Sequence, residues 1–212
     1  VKPFMLVGQG VELADARDEL LALCEKAQIP FGTTFLGLSA APSDHPLNMG
    51  KLGMHGNLAP NVMTNQCDLL IAVGMRFDDR VTGNLKNYAK QARIIHFDID
   101  PSEIDKNVKV NLAVLGDCKH TLAEVTKLVD AATHNSWIEG FKPYDEKEYN
   151  KVIKPAVYPD EGPLLMGEVV KRVSEASNNE AVLVTDVGQN QMFGCRYFKF
   201  TKPRSVVTSG GC

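Results

Sequence analysis

The chain has no apolar run approaching the roughly 20 residues that a membrane-spanning helix needs. Its start, Val1-Lys2-Pro3-Phe4, enters a strand pattern without the layout of a signal peptide, so no membrane partner is expected. It has no excess of positive charge: 23 Lys and Arg against 26 Asp and Glu give a formal net charge of -3, with no basic stripe, which argues against a nucleic-acid partner. It has no paired cysteine motif. Cys24, Cys67, Cys118, Cys195 and Cys212 are odd in number, scattered and never in a Cys-x-x-Cys arrangement, so a reducing, cytoplasmic compartment and no metal site are expected. An initiator methionine is missing too, and a piece of something longer is expected. Finally, Gly8-Gln9-Gly10 is followed by Leu13 where a Gly-x-Gly-x-x-Gly fingerprint has its third glycine. That gap, with no recognisable substrate-reducing acid, disfavours an NAD-dependent oxidoreductase.

What is present is an α/β pattern. Leu69-Leu70-Ile71-Ala72-Val73 is unbroken and apolar, as a strand covered on both faces of a parallel sheet should be, and it stops at Gly74 before the charged loop Arg76, Asp78, Asp79, Arg80. Ligands of open α/β sheets sit at that carboxyl end. The bland alternative is a solvated loop whose charges pair with each other. Residues 4–7 form a first strand, and the Gly8-Gln9-Gly10 turn behind it leads into helical spacing at Leu13, Ala16, Leu20, Leu23, Cys24 and Ala27. That turn is either plain turn chemistry or a phosphate contact.

A short strand at residues 29–34 precedes a long connection, 36–55, ending in Leu52-Gly53-Met54-His55-Gly56, residues suited to meeting a flat aromatic ligand. A short helix is expected within 57–65, a strand at 92–100 that is acidic at its end, and a strand at 110–115 closing on Gly116-Asp117. Three successive strand ends thus carry Gly74 with Arg76, Asp98, and Gly116 with Asp117, which favours one extended ligand shared between them. Asp117, taken alone, reads first as a helix cap, and Asp100 or Ser102 as another. Alternating strands and helices give a doubly wound parallel sheet with right-handed crossovers. From 133 to 163 the apolar period fades, and a protease-sensitive linker with at most a short helix is expected. Beyond it come a helix, a strand at 181–186, a helical stretch and a strand at 205–208. This pair of strands is too small to stand alone.

The phrases Leu52-Gly53-Met54-His55-Gly56, Gly74-Met75-Arg76-Phe77-Asp78-Asp79-Arg80-Val81-Thr82-Gly83, His96-Phe97-Asp98-Ile99-Asp100, Asp186-Val187-Gly188-Gln189-Asn190-Gln191-Met192 and Thr208-Ser209-Gly210-Gly211 resemble, in wording, order and spacing, the large catalytic subunits of acetolactate synthases. The resemblance spans essentially the whole chain. It implies the Rossmann-like central domain of a thiamine-diphosphate enzyme at 1–133, a linker at 134–160, and the truncated beginning of a pyrophosphate-binding domain at 161–212. It also implies that the whole enzyme, a transferase of branched-chain amino acid biosynthesis, uses thiamine diphosphate and Mg²⁺. Pyruvate is decarboxylated and the remaining carbanion adds to a second 2-keto acid, with the cofactor as electron sink. A homodimer or homotetramer with a small regulatory subunit is implied as well.

By the same resemblance this piece mainly binds FAD, in a structural role. Its contacts would be Gly8, Gln9 and Gly10; Thr34 and Phe35; Leu52, Gly53, Met54 and His55; Gly74, Met75, Arg76, Phe77 and Asp78; Asp98 with Ile99; Asp117 with Cys118; and Gly210 with Gly211. Gln189 and Asn190 match positions that approach thiamine diphosphate. Three departures stand out: Gln9 replaces the middle of three glycines, Asn190 stands where histidine is frequent, and Cys212 stands where leucine is usual. No catalytic residue and no metal ligand is assigned within this chain, and it is expected to be inactive alone. The alternative is a nucleotide-free structural central domain of another thiamine-diphosphate decarboxylase or carboligase.

Overall fold

Every residue of the first strand, β1 (Pro3–Val7), is buried in the computed structural model, which describes residues 1–209. The cause is its position. β1 lies in the middle of a six-stranded parallel sheet, between β2 (Phe31–Thr33) and the apolar run that forms β4 (Leu69–Val73). Beyond β2 lies β3 (Asn48–Lys51), and beyond β4 lie β5 (Arg93–Asp98) and β6 (Leu112–Leu115). β1 and β4 run in register from Pro3 opposite Leu69 to Val7 opposite Val73. The period of two sends Met5, Val7, Ile71 and Val73 into one core, and Phe4, Leu6, Leu70 and Ala72 into the other.

The helices supply the covers. α1 (Gln9–Leu13), α2 (Arg17–Ala27) and α5 (Cys118–Leu128) bury Val11, Leu20, Leu23, Cys24, Cys118 and Leu122 in the first core; α3 (Leu58–Thr64) buries Ala59 and Met63 in the second, and the short α4 (Asp79–Thr82) follows β4. The fold is therefore the doubly wound α/β sheet that the sequence pattern implies.

Two segments differ from the sequence reading. β3 falls inside what looks like a long loop. Asn48-Met49-Gly50-Lys51 has no apolar alternation, and the strand sits at an edge with a register shift and Gly50 at φ +101°. The stretch 134–160 contains more than the short helix expected of it. It holds α6 (Asn135–Glu139), α7 (Lys142–Glu148), a π-helical turn (Tyr149–Ile153) and α8 (Lys154–Val157). Trp137 and Phe141 are its anchors. Phe141 packs on Phe4 with ring centroids 5.4 Å apart, and the Trp137 indole N–H donates to the Pro3 carbonyl at 2.7 Å. Two aromatic anchors in a polar stretch leave no periodic trace, which is why the helices escape a pattern-based reading.

The last part contains α9 (Met166–Ala176), β7 (Leu183–Thr185), α10 (Gln189–Tyr197) and β8 (Val206–Thr208), with β7 and β8 forming a parallel pair. Cys195, Phe198 and Phe200 share a small core with Leu38. Arg17 fastens the two parts by donating to the carbonyls of Ser39 (2.6 Å), Ala40 (3.3 Å) and Thr201 (3.0 Å). Gly210, Gly211 and Cys212 lie outside the described residues.

Candidate functional site

The strand order turns back between β1 and β4, and ligand crevices of open α/β sheets form outside the carboxyl ends of strands at such a point. A cavity of about 1270 Å³ opens there. Gln9 and Gly10 wall it after β1, Thr34 and Phe35 after β2, Gly74, Met75, Arg76 and Asp78 after β4, Asp98 and Ile99 after β5, and Asp117 and Cys118 after β6; Leu52, Met54 and His55 close one side. The fold thus brings most of the sequence-selected positions to one crevice. Gly8, Gly53 and Phe77 stand behind the wall instead of in it. Gln189 and Asn190 are exposed at the start of α10, and Gly210 and Gly211 are outside the described residues.

The glycines at the centre meet each other. A methyl group on Gly8 would lie 2.1 Å from the Gly74 carbonyl oxygen, and one on Gly74, at φ +59°, would lie 2.6 Å from the Gly10 Cα. The amides are engaged as well: Gly8 N–H donates to the Val73 carbonyl at 2.9 Å and Gly10 N–H to the Gly74 carbonyl at 3.0 Å. These residues let two backbone turns touch, a requirement only glycine meets.

The acids at the strand ends are first of all turn acceptors. Asp78 accepts from the amides of Arg80 (2.9 Å) and Val81 (3.3 Å), Asp98 from Asp100 (2.9 Å), Asp100 from Ser102 (2.8 Å) and Asp117 from Lys119 (2.8 Å). The capping reading of Asp117 and Asp100 therefore describes the bonds they make. Two of the crevice acids keep a second oxygen near another partner: that of Asp78 is 3.5 Å from Arg76 Nε, and that of Asp98 is 3.5 Å from His96 Nε2. His96 is buried, and because its Nε2 lies 2.8 Å from the Met75 carbonyl, which only accepts, Nε2 carries a proton. This bond holds Met75, at the crevice wall, against the β5 side of the sheet.

The 52–55 loop is placed by a residue that the sequence does not advertise. Asn61 on α3 receives the Gly53 N–H and returns a bond to the Gly53 carbonyl, both at 2.9 Å, while Met54 N–H donates to the Arg80 carbonyl at 2.7 Å. Met54 and His55 are thereby set beside Arg80. Burial, then the positive charges of Lys51, Arg196 and Arg80, hold the His55 imidazole below its ordinary range, so it is neutral at pH 7. Burial, with Asp117 and Asp98, pushes the Cys118 thiol up to about 11, so it offers no thiolate.

Other lining residues are not among the assigned contacts: Leu13, 72% exposed, and Glu103 from outside the quoted phrases, with Asp79, Arg80, Gln191 and Ser209 from inside them. Gln191, adjacent to the two positions expected near thiamine diphosphate, donates to Thr208 Oγ1 and the Ser209 carbonyl, both at 2.7 Å. Its neighbour Asn190 accepts the Gln191 amide at 2.7 Å. Among the described residues no group of three or more His, Cys, Asp or Glu is arranged to hold a metal, and Gln189 and Asn190 are not among the residues that line the crevice.

Comparison with known proteins accounts for this arrangement at the family level. Residues 1–125 match the model of the thiamine pyrophosphate enzyme central domain. Across 99% of its length the chain is similar to the probable acetolactate synthase large subunit of Methanocaldococcus jannaschii, at 40% identity and 36% of that protein. It is likewise similar to the acetolactate synthase large subunits of Corynebacterium glutamicum, at 40% identity and 34% of that protein, and of Lactococcus lactis, at 37% and 36%. The chain spans about a third of the length of the curated relatives it matches.

These findings correct one expectation. The reading of this piece as chiefly an FAD binder is not sustained, because the matched family is defined by thiamine pyrophosphate and the relatives' names carry no flavin. The geometry supplies a reason. In the Gly8-Gln9-Gly10 turn, both glycine amides are bonded to backbone carbonyls, and the five-residue α1 behind it is too short to present an anion site.

Proposed function

Because this chain belongs to the thiamine pyrophosphate enzymes by way of their central domain, we propose that it is the central part of an acetolactate synthase large subunit, and that its crevice holds an extended anionic ligand. The observation that carries the first half is the agreement of relatives from archaea and bacteria over 99% of the chain. In this reading residues 1–133 act as the central domain, 134–160 connect, and 161 onward begin the pyrophosphate-binding unit. The whole protein works in the cytoplasm as a homodimer or homotetramer with a small regulatory subunit and Mg²⁺. It joins the two-carbon unit left by pyruvate decarboxylation to a second 2-keto acid. Thiamine diphosphate, when bound, supplies the electron sink; the residues of this chain bind and orient at the crevice.

The second half is supported by the lining. Arg76 and Arg80 are exposed to the crevice with their charges only partly met by Asp78 and Asp79, while Leu13, Phe35, Leu36 and Met54 offer apolar surface beside them. An anionic group then faces the arginines and an apolar body lies along Phe35 and Met54. Both arginines are solvated, so each contact contributes modestly.

Two measurements test this. Replacing the corresponding stretch of the Methanocaldococcus jannaschii large subunit with this chain should preserve acetolactate formation from pyruvate. A folded, assembled hybrid without that activity would overturn the assignment. For the crevice, titration with inorganic diphosphate should show saturable binding that Arg76→Ala weakens severalfold; equal binding by the variant removes Arg76 from the site.

A further inference from the structure

We propose that a second chamber, between β3, α8 and α10, is a binding site for a small organic monocarboxylate held between Lys51 and Arg196. It is separate from the crevice and has a volume of about 370 Å³, near the lower limit for small-molecule pockets. Tyr149, Ile153, Val157 and Tyr158 give the same chamber an apolar wall.

The argument rests on unmatched donors. Lys51, at the end of edge strand β3, is only 3% exposed, yet its ammonium has no hydrogen-bond partner among the described residues; its nearest compensation is the face of Phe35, 5.2 Å away. Arg196 on α10 gives Nη2 to Glu148 and Nη1 to the Gly56 carbonyl at 3.3 Å, but its Nε is likewise buried without a partner. Glu148 is the acid of this group, and it is already shared: it also accepts the Leu58 amide at 2.6 Å and Asn57 Nδ2 at 3.4 Å. Two cations therefore face one carboxylate, leaving one positive charge and two buried donor nitrogens, Lys51 Nζ and Arg196 Nε, unmet at a half-open chamber. Buried charges are normally paired, because desolvation without a partner is costly.

What completes such a site is one negative charge with two acceptor oxygens, which is a carboxylate. The Cys195 thiol beside the chamber is not the missing anion, since burial pushes it up to about 11 and it stays protonated. Lys171 is already paired with Glu175 at the chamber's rim, and adds no free charge there. Lys199, the remaining cation of the lining, is exposed and solvated, so the buried unmet charge is that of Lys51 with Arg196, and a strongly hydrated polyanion such as phosphate would overshoot it. Burial, with Arg196 adding repulsion, draws the Lys51 amine down to about 8, as expected for an ammonium without its counter-ion.

The test uses benzoate as probe and benzamide as its neutral counterpart, followed by NMR of the chain labelled at lysine Cε. Benzoate should bind at one site, benzamide at least about tenfold more weakly, and Lys51→Met should weaken benzoate by about tenfold or more, the scale of one charge-assisted hydrogen bond. Saturating benzoate should raise the Lys51 titration midpoint in the unmodified chain, a readout that needs no variant to fold. Absence of saturable benzoate binding, equal binding of benzamide, unchanged affinity in a folded Lys51→Met, or an unmoved Lys51 midpoint would each overturn the proposal.

Discussion

β1 and β8 are both short parallel strands of mainly apolar residues, yet β1 is wholly buried whereas Val207 in β8 is 55% exposed and Val184 in its partner β7 is 70% exposed. Composition does not separate them. β1 has a strand on each edge and a core on each face; the β7–β8 pair has helices α9 and α10 on one side, and the face carrying Val184 and Val207 is bare among the described residues. Parallel strands gain stability from being covered twice, so the number of layers, and not the apolar content of a strand, decides how much each residue contributes.

The comparison is broken most directly at its cover. Phe141→Ala removes a buried ring from the helical stretch against β1 and should cost about 3–5 kcal/mol. The emission of Trp137, the chain's one tryptophan, should shift to the red as its shelter loosens. A cost no larger than that of Val207→Ala, measured by urea unfolding, would mean that the second layer does not matter.

Next in size is the defect inside the covered region, Lys51. Its amine falls from 10.5 in the unfolded chain to about 8 in the folded one. Below pH 8 both states are protonated, and the folded state bears the full burden of the buried charge. Between about 8 and 10.5 the unfolded state holds a proton that the folded state has released, so stability rises with pH across that window, in total on the order of 3 kcal/mol. Lys51→Met should be the more stable protein at pH 7 and should lose its advantage as pH approaches 10.5. Parallel unfolding curves at every pH would show that Lys51 is solvated after all.

The finest test compares deletions of one or two carbons. Ile71→Val in β4 should cost about 0.5–1.5 kcal/mol, while Val184→Ala in β7 should stay within about 0.5 kcal/mol, as exposed substitutions do. Amide exchange should follow the same order, slowest at β1 and β4 and fastest at β7 and β8. Similar exchange in both sheets would erase the distinction.

The strands that carry this fold were legible because Phe4–Val7 and Leu69–Val73 are apolar on both faces, and 94–97 is so but for His96, a pattern that local sequence contains in full. The acids at their ends were legible as caps for the same reason: Asp117 reaches an amide two residues away. What could not be read depends on partners far along the chain. Gly8 and Gly10 look like a phosphate turn until Gly74 is set against them, and Trp137 and Phe141 look like isolated aromatics in a linker until β1 lies beneath them. Lys51 is the extreme case. The helices beside it, α8 and α10, begin 103 and 138 residues later.

The bond from Trp137 to the Pro3 carbonyl spans 134 residues, and it sets an order of events as the polypeptide emerges from the ribosome. β1 therefore waits 134 residues for one of its covering layers. At about 5–20 residues per second, the interval between the two is on the order of ten seconds. Phe4 and its neighbours on that face remain available to other hydrophobic surfaces throughout, which makes the nascent chain a natural client for chaperones that bind exposed apolar segments until Phe141 arrives.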